Sequence, residues 1–143
     1  MKKKRNKPYI PREKKAPMIV GQQMVFAPIT QFLHQIRHSE ILEYRGESMI
    51  EHPAWSELYS AVPTLRLFAN VFALWAAETG NTINVWPLRQ LANHLVYEMP
   101  ITESTLAPVE RLFERMQMIG NTWTHAQTIG YLERAGLTET EAA

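Results

Sequence analysis

Apolar residues recur along much of this chain at spacings of three and four, the mark of helices with one buried face. Ile29, Phe32, Leu33 and Ile36 form the first such stripe and predict a helix over about 29–44 that stops at Arg45-Gly46. A second helix is expected from His52-Pro53, with proline in the favoured first turn, carrying Trp55, Leu58, Tyr59 and Val62 to a break at Pro63. The third, 63–79, is apolar over more than half its circumference through Leu65, Phe68, Val71, Phe72, Leu74 and Trp75, which places it at the centre of the molecule. Gly80-Asn81 closes it. The fourth, 87–98, carries Leu88, Leu91, Ala92 and Leu95 and ends before Pro100. The fifth, about 105–119, turns Val109, Leu112, Phe113 and Met116 inward and Glu110, Arg111, Glu114 and Arg115 outward. The sixth, about 123–134, is expected to bury Ala126, Ile129 and Leu132, with Gly130 weakening it.

Short connections and the lack of a convincing alternating strand give an all-α reading, a compact bundle of five to six helices. The exception is 18–26, where Met18-Ile19-Val20 and Met24-Val25-Phe26 flank Gly21 and leave room for a short extended segment. The domain organisation expected is a basic arm at 1–17, one helical domain at 18–135 and an acidic frayed tail at 136–143. Gly-Asn-Thr occurs at 80–82 and again at 120–122, but little flanking sequence matches, so shared helix-stop chemistry explains it better than a repeat.

With 143 residues, 45% of them apolar, the chain suits a single core. It has no cysteine, which excludes disulfides, thiolate metal sites and a cysteine nucleophile. The longest apolar run, 65–77, is interrupted by Arg66 and Asn70 and falls short of the roughly 20 residues that a bilayer span needs. No apolar stretch succeeds the basic start as an export signal would require, so neither export nor a membrane partner is expected. The net charge of +1 hides an asymmetry. Residues 1–15 hold eight Lys or Arg against Glu13, giving +7, whereas the remainder holds seven Arg against thirteen Glu, giving −6. Every lysine lies in the arm, and Pro8, Pro11 and Pro17 oppose a helix through it.

Catalytic signals are weak. His34 and His38, four residues apart, share a helical face and would supply half a metal site, yet their face lies opposite Phe32, Leu33 and Ile36, so they read as a solvent-facing pair. Glu110 and Glu114 alternate with Arg111 and Arg115 as an ordinary solvated face. No nucleophile elbow, phosphate-cradling loop or dinucleotide fingerprint is present, so neither an enzyme nor a cofactor is expected. Trp86 and Trp123 sit near helix starts, where such rings more often staple elements together than stack on a ligand. Exposed Trp86, Tyr97 and Tyr131 would instead mark a partner surface. The candidate binding residues are Lys2, Lys3, Lys4, Arg5, Lys7, Tyr9, Arg12, Lys14 and Lys15, which interleave cations with a tyrosine and stiff prolines. Such a segment suits nucleic acid, with the cations on phosphates and Tyr9 free to stack. It also suits an acidic protein, including the −6 body of a second copy in a homodimer, and a merely solubilising tail is the plain alternative.

The Lys/Arg run into Lys7-Pro8-Tyr9-Ile10-Pro11-Arg12, with the His52-Pro53-Ala54-Trp55 block and Leu58, Ala61 and Val62 after it, resembles small uncharacterised helical proteins encoded by temperate phages and prophages of proteobacteria. The resemblance covers about a third of the chain and implies no catalytic or binding residues. It implies a phage or prophage accessory protein in a bacterial host cytoplasm, and the charge of the arm adds the expectation that it engages nucleic acid or a nucleic-acid-associated host machine. A protein-interaction module, such as an inhibitor of a host enzyme or defence system or a self-assembling dimer acting through the aromatic-rich body, is the other class.

Overall fold

A computed structural model describes residues 15–51 and 58–142 of the chain, with side chains over 26–51 and 58–136. The order of elements is α1 (Lys15–Arg37), β1 (Leu42–Tyr44), β2 (Glu47–Glu51), β3 (Leu58–Ser60), α2 (Ala61–Thr79), α3 (Trp86–Val96), α4 (Glu103–Gly120) and α5 (His125–Ala142). The fold is mostly helical but not all-α, because β1, β2 and β3 form a small antiparallel sheet in that order.

Two expectations change at the start of the described chain. Residues 18–26 are helical rather than extended, and α1 passes through Pro28. Pro17 costs little in the first turn, where its missing N–H has no intrahelical acceptor. Pro28 removes one internal hydrogen bond, but it lies on a continuous buried stripe of Phe26, Ile29, Phe32 and Leu33. Packing of that stripe outweighs the lost bond.

The predicted first helix also stops early, at Arg37 rather than Tyr44. Ser39 takes a left-handed conformation (φ 56°), Ser39 N–H donates to the Ile36 carbonyl and Glu40 N–H to that of Gln35, so the helix closes in a Schellman motif. Beyond it the chain forms a hairpin from β1 and β2. Arg45 and Gly46 both have positive φ, 54° and 81°, and Tyr44 pairs with Glu47 across them, as in a two-residue type I′ turn. Arg45-Gly46 is therefore a hairpin turn and not a helix stop. The helix expected from His52-Pro53 is corrected as well: Leu58–Ser60 is a strand, paired Ile50 to Tyr59 and Met49 to Ser60, while 52–57 lie outside the described residues. Pro63 falls in the first turn of α2 and does not break it.

The central helix is α2, which packs on both α3 and α5. Gly80, with φ 73°, ends it in the left-handed position expected of a glycine stop. The core is aromatic where four helices meet. The Phe26 ring of α1 lies 5.3 Å from Phe68 of α2, edge-on, and 5.4 Å from Phe113 of α4. Phe72 stacks on Trp123 at 5.0 Å, and Trp123 meets Tyr131 of α5 at 4.7 Å. This chain of rings rotates α5 relative to the expected stripe. Tyr131, Thr128 and Ala135 are buried, and Ile129 and Ala126 face out. The start of α5 is fixed by a reciprocal capping box, in which Gln127 N–H donates to Thr124 Oγ1 (3.1 Å) and Thr124 N–H donates to Gln127 Oε1 (2.7 Å).

Candidate binding groove

The inner face of the small sheet is set by Ile50, which is fully buried, so Ser48 and its cross-strand partner Glu43 share that side. Opposite them stands the C-terminal end of α3. Between the two lie adjoining cavities of about 370 and 460 Å³. Both are lined by Glu43, Ser48, Leu95 and Glu98, so they form one groove. At one end it is bounded by Glu47, Ser60, Val62, Pro63 and Val96, and at the other by Ile36, Ser39, Ile41, His94, Met99 and Ile101. The size is that of sites that take a small ligand or a few side chains of a peptide.

The groove has an apolar floor and a carboxylate rim. Ile36, Ile41, Val62, Leu95 and Ile101 pack against the core from below. Glu43, Glu47 and Glu98 line it from three different segments. Glu47 Oε1 accepts a hydrogen bond from Ser60 Oγ at 3.2 Å. Among the described residues no Lys or Arg forms a salt bridge with Glu43, Glu47 or Glu98. His94 is turned by the backbone, its Nδ1–H donating to the Pro100 carbonyl at 3.0 Å.

Two helix ends bring these residues together, and both do so without glycine. Glu98 has φ 53°, its N–H donates to the Leu95 carbonyl and the Met99 N–H to that of His94, so α3 ends in the same motif as α1. Ser39 and Glu98 thus occupy left-handed positions, and both line the second cavity. A non-glycine residue there costs roughly 1–2 kcal/mol. The geometry of the end of α1 is held from outside by Arg37, which reaches across to α4. Its Nη1 and Nη2 donate to the two Glu103 oxygens at 2.9 Å each, and its Nε and Nη2 donate to Glu110 at 2.7 and 2.6 Å. Those bonds raise the Arg37 guanidinium above its already high value, and hydrogen bonding to Arg37, then its charge, holds the Glu103 carboxyl below the usual range.

Of the binding residues expected from sequence, Lys2, Lys3, Lys4, Arg5, Lys7, Tyr9, Arg12 and Lys14 lie outside the described residues, and Lys15 is the first residue of α1. His34 and His38 are exposed, their rings 4.2 Å apart, with His38 Nδ1–H donating to the His34 carbonyl. Among the described residues no group of three metal-ligating side chains converges. Trp123 and Tyr131 are core, whereas Trp86 and Tyr97 are 53% and 71% exposed, which splits the aromatic residues between the two roles considered. Sequence reading misses the groove itself, because Glu43 and Ser48 fall within a segment expected to be helix and loop. The signal that could have found it is the alternation Leu42, Tyr44 before Arg45-Gly46 and Ser48, Ile50 after it. No described helix is long and apolar enough to cross a membrane. No protein-family model, curated protein or solved structure matches this chain.

Proposed function

We propose that this protein is a binding module whose body receives a basic, partly apolar peptide segment in the groove between the small sheet and α3. The observation that carries the reading is the pairing of an apolar floor with Glu43, Glu47 and Glu98 on the rim, all three without a salt-bridge partner among the described residues. Such a surface rejects anions by charge and attracts a segment that alternates cations with aliphatic or aromatic side chains. Panning a random peptide library against the full chain tests it. Enriched peptides combine Lys or Arg with large apolar residues, and a Glu43→Lys, Glu98→Lys variant that retains its helical circular dichroism loses them. Enrichment indifferent to the two substitutions contradicts the reading.

A second reading belongs to the arm, favoured by its eight cations within fifteen residues. There the arm contacts the phosphates of nucleic acid, or a nucleic-acid-associated host machine. In the phage or prophage setting that the opening residues suggest, the groove would add a protein contact. If all eight cations met phosphates, the slope of log affinity against log salt would approach roughly −7 on duplex DNA. A full-length variant with the eight changed to glutamine keeps its groove and loses that dependence. Unchanged DNA affinity in this variant contradicts the second reading.

A further inference from the structure

We infer that the peptide seated in the groove is the basic arm of a second copy of this chain. The inference rests on the proposed groove function and names the groove's occupant. The pattern of the arm matches that of the groove. Pro8-Tyr9-Ile10-Pro11 is an apolar block flanked by Lys2, Lys3, Lys4, Arg5 and Lys7 before it and by Arg12, Lys14 and Lys15 after it. The groove presents the complement, an apolar floor at Leu95 and Ile41 with Glu43, Glu47 and Glu98 on its rim. Prolines on both sides of Tyr9-Ile10 suit an extended ligand, since they remove donors a helix would need and reduce the freedom lost on docking. The charges balance at the scale of the whole chain too, +7 on 1–15 against −6 on the remainder.

Reach decides between the chain's own arm and a neighbour's. The groove begins beside Ile36, near the C-terminal end of α1, while the arm joins the N-terminal end of that helix at Lys15. At 1.5 Å per residue the two points lie about 32 Å apart along the helix axis. Six residues of fully extended chain, from Lys15 back to Tyr9, cover only about 20 Å. The apolar block therefore stops short of the Ile36 end of its own groove, a limit that does not hold for an arm approaching from a second copy. Reciprocal exchange of two arms closes a two-fold dimer in which each copy gives one arm and accepts one. A polyanion that binds the arm then competes with the groove.

The absence of cysteine from the natural chain makes this directly testable by cross-linking. One full-length variant carries Tyr9→Cys, and another carries Val96→Cys at the exposed edge of the first cavity. Mixed under mild oxidation, the two are expected to give a disulfide-linked heterodimer in preference to either homodimer. Glu43→Lys and Glu98→Lys in the Val96→Cys chain, or 1 M salt, are expected to slow that link by about tenfold or more. A heterodimer that forms equally fast with the charges reversed overturns the inference, as does the absence of any link. So does a linked monomer as the main product when both substitutions are in one chain, because it would place the arm in its own groove. If the groove still selects basic peptides from the library while no arm-to-groove link forms, only the occupant is wrong. If it selects none, the groove function falls with it.

Discussion

Ser39 and Glu98 show how single backbone conformations set the shape of the groove. Each ends a helix in the left-handed region, where α2 uses Gly80 for the same task. Glycine at either position relieves the clash between Cβ and backbone, partly offset by the greater freedom of the unfolded chain, so Ser39→Gly and Glu98→Gly should each raise stability by about 0.5–1 kcal/mol in urea unfolding. Glu98→Gly should at the same time weaken peptide binding, since it removes a rim carboxylate. Greater stability with weaker binding is the signature expected of a residue kept for its side chain. Tyr131 offers a second check at this scale. Its phenol is pushed above its ordinary value chiefly by burial, then by Glu78, with Arg134 acting in the opposite direction. A group whose folded value is raised stabilises the fold below its unfolded value near 10 and loses that contribution as pH rises through the folded one. Ultraviolet titration should find a late tyrosine step, above the ordinary phenol value, together with the onset of alkaline unfolding. Tyr131→Phe should remove the late step.

Helices α2, α3 and α4 are legible in the sequence because an apolar stripe of period 3.6 and a turn at the end agree on each, joined in α2 and α3 by a proline near the start. The ends of α1 are not legible. Local chemistry at Pro17, Gly21 and Pro28 argues against a helix, and tertiary packing of Phe26, Ile29 and Phe32 overrides it. The hairpin is hidden for a related reason, since Arg45-Gly46 lacks the asparagine or aspartate that usually announces a type I′ turn. Two predictions concern how the elements are joined. Phe72→Ala removes a ring that packs against Phe26 and Trp123 and should cost about 3–5 kcal/mol in chemical unfolding. Arg37→Gln unties α1 from Glu103 and Glu110. Because the Glu103 carboxyl is held low, its contribution exists above the ordinary carboxylate value and is lost as pH falls through the lowered one. The variant should have a lower thermal midpoint at neutral pH, with the difference from the natural chain shrinking in acid and in high salt. An equal difference at pH 7 and pH 2 would contradict that origin.

At the scale of the molecule, the separation of charge visible in the sequence gains a physical partner in the groove. Composition alone places +7 in the arm and −6 in the remainder, but it does not say which of thirteen scattered glutamates gather, because that depends on a hairpin and two helix ends meeting. Glu103 and Glu110 are engaged by Arg37, and Glu78 by Arg134, whereas Glu43 and Glu98 stand over an apolar floor. The groove is thus a product of tertiary structure, and the ligand preference proposed for it rests on which carboxylates are left without a cation among the described residues. Amide chemical-shift mapping of the full chain with the strongest library-selected basic peptide tests the groove's role most directly. A peptide-binding groove predicts saturable shifts concentrated at 39–48 and 94–101, abolished by Glu43→Lys with Glu98→Lys. Shifts centred on α5, or shifts unchanged by the charge reversal, would contradict it.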